Sequence, residues 1–262
     1  MIKFVLNGLV FQIDNNVIAL SERMEELATS FTKCADGVSY HFKMTINQDN
    51  VVIFNGIRDN KLNICPNVRD SYQLFYLFIS YCLNSNQRVL IHSVMVSRNG
   101  KGFLILGTFG SGKTTLSFEM EKLGFEINSA DHSLIEIENN KLFFVGGTRR
   151  IKYNNITTYI GSTHTDKKIE IMGLYYLIGM SDGGSSKISV EEDNIRIAKK
   201  LWSSITWLYT NPLQKFTNEL LMCINQNIYD FVNNVSKLNI KMNICRGDSK
   251  IIANNILNTT KF

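Results

Sequence analysis

The stretch Gly107-Thr-Phe-Gly-Ser-Gly-Lys-Thr114 fits G-x-x-x-x-G-K-[ST] at every required position. That spacing suits one task, holding a chain of phosphates. Gly107, Gly110, Ser111 and Gly112 let the backbone turn tightly enough for its N–H groups to converge on an anion. A helix starting at the end of the loop adds unpaired N–H donors and the positive end of its dipole. Lys113 is then placed to reach the β- and γ-phosphates, Thr114 to ligand Mg²⁺, and Thr115 to sit in the first helical turn. The alternative is a glycine-rich turn that binds nothing.

The flanking segments supply the elements such a loop requires. Gly102-Phe-Leu-Ile-Leu106 is apolar and of strand length, and Thr115 to Leu123 reads as a helix closed by Gly124. Arg88 to Val96 is a second apolar strand, joined to the first by an Asn99-Gly100 turn, and His92 lies within it. Phe125 to Ala130 is a further strand that delivers Asp131 only 18 positions after Lys113. The chain is then expected to turn back in a hairpin, with strand Ser133 to Glu138, a tight Asn139-Asn140 turn and strand Leu142 to Val145. Strand Ile169 to Gly179, a loop at Asp182-Gly-Gly-Ser-Ser186 and a helix over Glu191 to Leu208 follow. Asn211-Pro212 offers a cap and first-turn proline for a helix to about Val232, then strand Ile240 to Cys245 and a helix from Asp248 to Leu257.

The N-terminal part carries alternating apolar stretches and turn signals at Asp14-Asn-Asn16 and Asn47-Gln-Asp-Asn50, without a catalytic signature. Met1 to Phe11, interrupted by Asn7 and Gly8, reads as a strand and not a signal peptide. Ser71 to Leu83 reads as a helix packed under the following sheet. The expected division is residues 1–84, a small strand-rich lobe with a helix, and residues 85–262, the nucleotide-binding domain.

Composition narrows the class. The 262 residues are 44% hydrophobic with only 2 prolines, which suits a folded core and not a disordered chain. No apolar run approaches the roughly 20 residues of a membrane-spanning helix. The five cysteines, Cys34, Cys65, Cys82, Cys223 and Cys245, form no C-x-x-C pair, so free thiols in a cytoplasmic protein are expected. The net charge of +5 comes without a basic run interleaved with aromatics, so nucleic acid is not an expected partner.

Ile91 to Thr115, followed by Leu116 to Asp131, resembles the catalytic core of the HPr kinase family. His92, Asn99-Gly100, the phosphate loop, Gly124 and Ala130-Asp131 fall in the family's order over about 50 residues. The resemblance implies an α/β fold with a phosphoenolpyruvate-carboxykinase-like mixed sheet, a P-loop and packed helices. It also implies ATP- and Mg²⁺-dependent phosphorylation of a serine-type hydroxyl on a peptide or small protein, and it is compatible with a homo-oligomer. Asp131 matches the first aspartate of the family's pair, the general base or a metal-associated carboxylate. His132 stands where the second aspartate is usual, and it could relay a proton but is a poor Mg²⁺ ligand. Phe109 replaces a small polar residue and could reshape the nucleotide entrance.

Further candidates come with the same resemblance. Gly146-Gly-Thr-Arg-Arg-Ile-Lys152 resembles a glycine-plus-basic turn of the peptide-tailoring relatives, so Arg149, Arg150 or Lys152 would stabilise transferring charge, with Arg150 or Lys152 preferred. His92 matches a family histidine near the phosphates. Glu170 is a candidate pointing in from the later strand, and His164 with Asp166 a candidate lid. Against the kinase stand a nucleotide-binding sensor that has lost efficient transfer and a small-molecule kinase of the same fold.

Overall fold

The computed structural model describes residues 1–19, 22–46, 52–55, 62–64, 71–153, 156–161, 167–180, 186–206 and 218–260. Short turn sequences set much of its local form. Asn99-Gly100 and Asn139-Asn140 have φ of 51° and 74°, and 49° and 59°, the positive pair a two-residue hairpin needs. Asn7-Gly8, with φ of 52° and 71°, does the same. The N-terminal stretch is therefore not one strand but a hairpin of Ile2–Leu6 with Leu9–Ile13. Asp14-Asn-Asn16 is not a turn either: Asp14 stands at the N-cap position of the short helix Asn15–Ile18 without a side-chain cap bond, and its carboxylate pairs with Lys43 at 2.9 Å. Residues 47–50 and 207–217 lie outside the described residues, as do 162–166 and 181–185.

Among the described residues the chain forms a six-stranded sheet, a nine-stranded sheet and a two-stranded ribbon. The first holds the N-terminal strands to Leu62–Ile64, and all later strands except the ribbon belong to the second. The helix Ser71–Leu83 was expected to pack under the following sheet, yet it contacts both. Phe75 meets Phe4 at 5.5 Å between ring centroids, Phe78 meets Phe11 at 5.8 Å and Phe54 at 5.0 Å, and Tyr76 faces His132 at 3.9 Å. A helix apolar on every side satisfies itself only by burial on every side. Each Phe so buried contributes about 1.5–3 kcal/mol.

Two features of the larger sheet place the site. The long strand Ile169–Met180 runs parallel to Lys101–Gly107 on one side and Met242–Gly247 on the other, with Leu177 opposite Gly107. The carboxyl ends of all three gather together, where open α/β sheets usually bind ligands. One of them continues into the glycine loop and helix Lys113–Lys122, another into helix Ser249–Thr259, capped by the Asp248 carboxylate on the N–H groups of Lys250 and Ile251. Asp248 thus opens the C-terminal helix as its cap, in keeping with the sequence. Lys187–Glu191 is an additional strand, paired with Met242–Gly247, so the helix expected from Glu191 begins at Asn194 and spans Asn194–Thr206.

The second feature concerns Asp131. No hairpin reverses the chain there. Residues 126–138 pair antiparallel with residues 88–98, with a bulge between Ile127 and Ser129: Ser129 lies opposite Met95, Ser93 N–H donates to Asp131 O at 3.1 Å, and His132 lies opposite His92. Both segments bend at this point and cross from one part of the sheet to another, so the sheet curls back on itself. Neither Ala130 nor Asp131 takes a positive φ, and the chain bends there without reversing. The expected hairpin turns at Asn139-Asn140, between strands His132–Glu138 and Lys141–Gly147.

Candidate active site

A bend in a ladder leaves backbone groups in need of partners, and Thr148 supplies them. Its hydroxyl accepts from the N–H groups of Asp131 and His132, both at 3.0 Å, its carbonyl accepts from Ala130 N–H, and its own N–H donates to His132 O. Gly147, just before it, approaches so closely that a Cβ there would lie 2.4 Å from Ser129 Cβ and 2.7 Å from His132 O. The bend carrying Asp131 is thereby fixed from behind.

The glycine loop faces this bend. Gly110 and Gly112 have φ of 74° and 93°, and Gly107, at 147°, leaves no room for a Cβ, which would stand 2.5 Å from Ser111 Oγ and 2.9 Å from Leu177 O. Ser111 Oγ is buried without a hydrogen-bond partner, while Thr115 is half-buried in the first helical turn. Lys113 is buried and folds back on the loop, donating from Nζ to the carbonyls of Gly107 and Thr108, each at 3.0 Å. Burial lowers its pKa to about 8, against the opposing pull of Asp131.

Gly110, Thr114, Asp131 and Arg150 line one cavity of about 610 Å³ together with Phe109, Thr148 and, from the N-terminal part, Arg23, Ser30, Tyr72 and Tyr76. His92 lies instead beside Gly107 and Phe109 on an adjoining cavity of about 90 Å³. Phe109, 84% exposed at the loop tip, borders both cavities. A third cavity of about 430 Å³, between helix Asn194–Thr206 and helix Asn218–Ser236, is mostly apolar and gathers no such chemistry.

Asp131 is held by three groups from three elements. Tyr72 donates its hydroxyl to Oδ2 at 2.8 Å, His132 Nδ1 lies 3.4 Å from Oδ2, and His92 Nε2 lies 3.5 Å from Oδ1. Burial pushes this carboxyl's pKa up, but the two histidines and Tyr72 outweigh it and hold the group well below the usual carboxylate range. Burial lowers the His92 pKa to about 3, so its imidazole is neutral at pH 7. Tyr72 is pushed far above its ordinary value by burial and by the Asp131 charge, which keeps it a donor. His132 has no exposed surface, stacks on Tyr76, and has both ring nitrogens buried without hydrogen-bond partners.

The remaining candidates separate. Arg150 forms a close ion pair with Glu26, and Arg149 donates from Nε to Ile160 O at 2.9 Å. Lys152 falls in strand Arg150–Tyr153, opposite Thr157, and its side chain lies outside the described residues. Glu170 is a correction: it pairs with Lys101 at the far end of the strand from Gly107, and it bonds Lys141. His164 and Asp166 lie outside the described residues. Cys34, Cys82, Cys223 and Cys245 are free thiols, and Cys65 lies outside the described residues.

Sequence reasoning missed Tyr72, Tyr76, Arg23 and Thr148. One signal was present: tyrosines at i and i+4 on a helix whose other buried aromatics are Phe75 and Phe78 put two hydroxyls on one face of an apolar element. Thr148 stood unremarked inside the glycine-plus-basic segment.

No known family's model matches the sequence, and no curated protein is similar to it. Among solved structures the chain resembles the HPr(Ser) kinase/phosphatase from Coxiella burnetii, at 13% identity over 64% of this chain and 94% of that one, with a TM-score of 0.36. A likeness of that degree is distant, and the site is read from this chain's own residues. Those residues form a mixed α/β fold, and among the described ones no helix is long and apolar enough to cross a membrane.

Proposed function

We propose that this chain is an ATP-dependent kinase that phosphorylates a serine-type hydroxyl on a peptide or small protein. The observation that carries the reading is that Gly110 and Thr114 of the phosphate-type loop and the Asp131 carboxylate line one cavity. In that reading residues 107–115 are a P-loop, and Lys113 leaves the loop carbonyls for the nucleotide's β- and γ-phosphates.

The donors present fit Mg²⁺. Thr114 offers a hydroxyl, and Mg²⁺ in such sites usually keeps several waters beside substrate phosphates, so the Asp131 carboxylate is assigned to the acceptor as its base. Among the described residues no group of three or more His, Cys, Asp or Glu side chains is placed to hold a metal ion. Bound there, the ion would neutralise charge on the phosphates. His132 has no exposed surface and is not a candidate ligand.

In the transfer the acceptor oxygen bonds to the γ-phosphorus, the bond from that phosphorus to the bridging oxygen breaks, and ADP leaves. The acceptor's proton passes to Asp131. A carboxyl held at so low a pKa is a weak base in the resting state. It serves a loose transition state by orienting the hydroxyl and taking the proton late, when the oxygen has become acidic. Arg150 and Arg23, both on the cavity wall, are placed to share the spreading charge.

The test is turnover of γ-labelled ATP with Mg²⁺, with serine-containing peptides as acceptors. Label on a peptide hydroxyl that is lost in Asp131→Asn, with nucleotide affinity retained, supports the kinase. The sensor reading has its own observation, an Asp131 already engaged by Tyr72, His132 and His92. Tight ATP binding without transfer to peptide or water would favour it.

A further inference from the structure

We propose that Tyr72, on a helix outside the loop-and-strand core of the site, is a positioning residue that fixes which oxygen of Asp131 receives the acceptor's proton. The inference rests on the kinase reading and adds to it the part played by the segment before residue 85. The Asp131 oxygens differ in surroundings. Oδ2 takes the Tyr72 hydroxyl at 2.8 Å and faces His132 Nδ1 at 3.4 Å, whereas Oδ1 has the looser His92 contact at 3.5 Å. A charge-assisted hydrogen bond of 2.8 Å commits its oxygen and orients the carboxylate plane, leaving Oδ1 for the proton.

The tyrosine is itself held in place. Its ring packs on Tyr76 one turn along, at 4.7 Å between centroids, and the Arg23 guanidinium lies over the Tyr72 ring, 5.3 Å from its centroid. Tyr76 in turn stacks on His132, whose strand carries Asp131 at its start. The helix Ser71–Leu83 is buried between the two sheets, so the hydroxyl is delivered by a rigid element and not by a loop. A Phe at this position would keep the ring and lose the grip on Oδ2.

A double-mutant cycle on Mg²⁺-dependent ATP hydrolysis, with water as the acceptor, tests this. Tyr72→Phe is expected to lower kcat by about 10- to 100-fold, as loss of a hydrogen bond to a charged group would, with the KM for ATP unchanged. In the Asp131→Asn background the same change is expected to cost less than about twofold, because the hydroxyl acts through the carboxylate. Tyr81→Phe, on the same helix, loses a hydroxyl elsewhere and is the control for structural effects. A second arm needs no turnover: with ¹³Cζ-tyrosine labelling of the 10 tyrosines, the resonance lost in Tyr72→Phe should shift in Asp131→Asn. Equal losses from Tyr72→Phe in the two backgrounds, or a Tyr72 resonance indifferent to Asp131→Asn, would overturn the inference. Full activity of Asp131→Asn alone overturns instead the reading of Asp131 as base, a result visible without touching Tyr72.

Discussion

Gly147→Ala tests the architecture that holds Asp131, and its cost can be worked from distances. The added methyl would meet Ser129 Cβ at 2.4 Å, His132 O at 2.7 Å and Phe144 Cε2 at 3.1 Å. Favourable carbon contacts lie at about 3.5–4.0 Å, so one side of the contact must move by roughly 1 Å. Two of the three obstacles are the Cβ and backbone oxygen of the bent segment, which cannot swing away as a flexible side chain would. Overpacking of this kind costs about 1–3 kcal/mol, and a rigid site points to the upper end. For a chain of this size about 3 kcal/mol corresponds to roughly 6–12 °C in Tm. Gly37→Ala is the comparison, with open space for its methyl and a φ of 82°, and it should cost only about 1–2 kcal/mol through backbone strain.

The same displacement should reach the chemistry. Thr148 follows Gly147 directly and binds the N–H groups of both Asp131 and His132, so a shift there moves the carboxylate. A misplacement of about 1 Å can cost on the order of 100-fold in rate. The assay pairs thermal unfolding with ATP turnover and nucleotide affinity, the last expected to hold because the loop is untouched. A Gly147→Ala protein within about 0.5 kcal/mol of wild type, turning over at the wild-type rate, would refute the close approach and the role given to Thr148.

Two further predictions follow from buried basic groups. The folded chain holds His92 at about 3, so below its ordinary 6.5 the unfolded chain takes up a proton that the folded chain refuses. Stability is therefore lost as pH falls from 6.5 toward 3, by about 2–3 kcal/mol over the first two units, and His92→Asn should flatten that slope in urea titrations at pH 7.5 and 4.5. An unchanged slope would show that His92 is not the group responsible. Lys113 sits at about 8 in the fold against an ordinary 10.5, so the folded chain sheds its proton first. Stability should rise between pH 8 and 10.5 by about 3 kcal/mol and stay level in Lys113→Met, while Lys113→Ala should lose nucleotide binding in a direct titration.

Local chemistry was legible in the residues themselves. A strand, a glycine loop and a helix from Lys113, the Asn99-Gly100 and Asn139-Asn140 turns and the Asp248 cap all follow from preferences spanning a few residues, and these elements stand within a few residues of their expected limits. What failed was each inference that needed to know where a segment goes next. Asn7-Gly8 carried the same turn signal and was passed over inside an apolar run. That the strands run on through Asp131 in a bend was not legible, because an apolar strand, an acidic residue and another apolar strand look alike whether the chain bends or turns.

The sequence alone determined the phosphate-type loop, its flanking elements and the presence of an acidic residue soon after it, because those depend on φ preferences, hydrogen-bonding groups and apolar period within short windows. Tertiary structure alone decided what surrounds that residue. The pairing of His92 with His132 is a matter of strand register, the Thr148 contacts arise where two strands bend together, and the Tyr72 hydroxyl arrives on a helix wedged between two sheets. Each depends on contacts between residues 16 to 59 positions apart, and no local preference encodes which distant side chain will fill a given place.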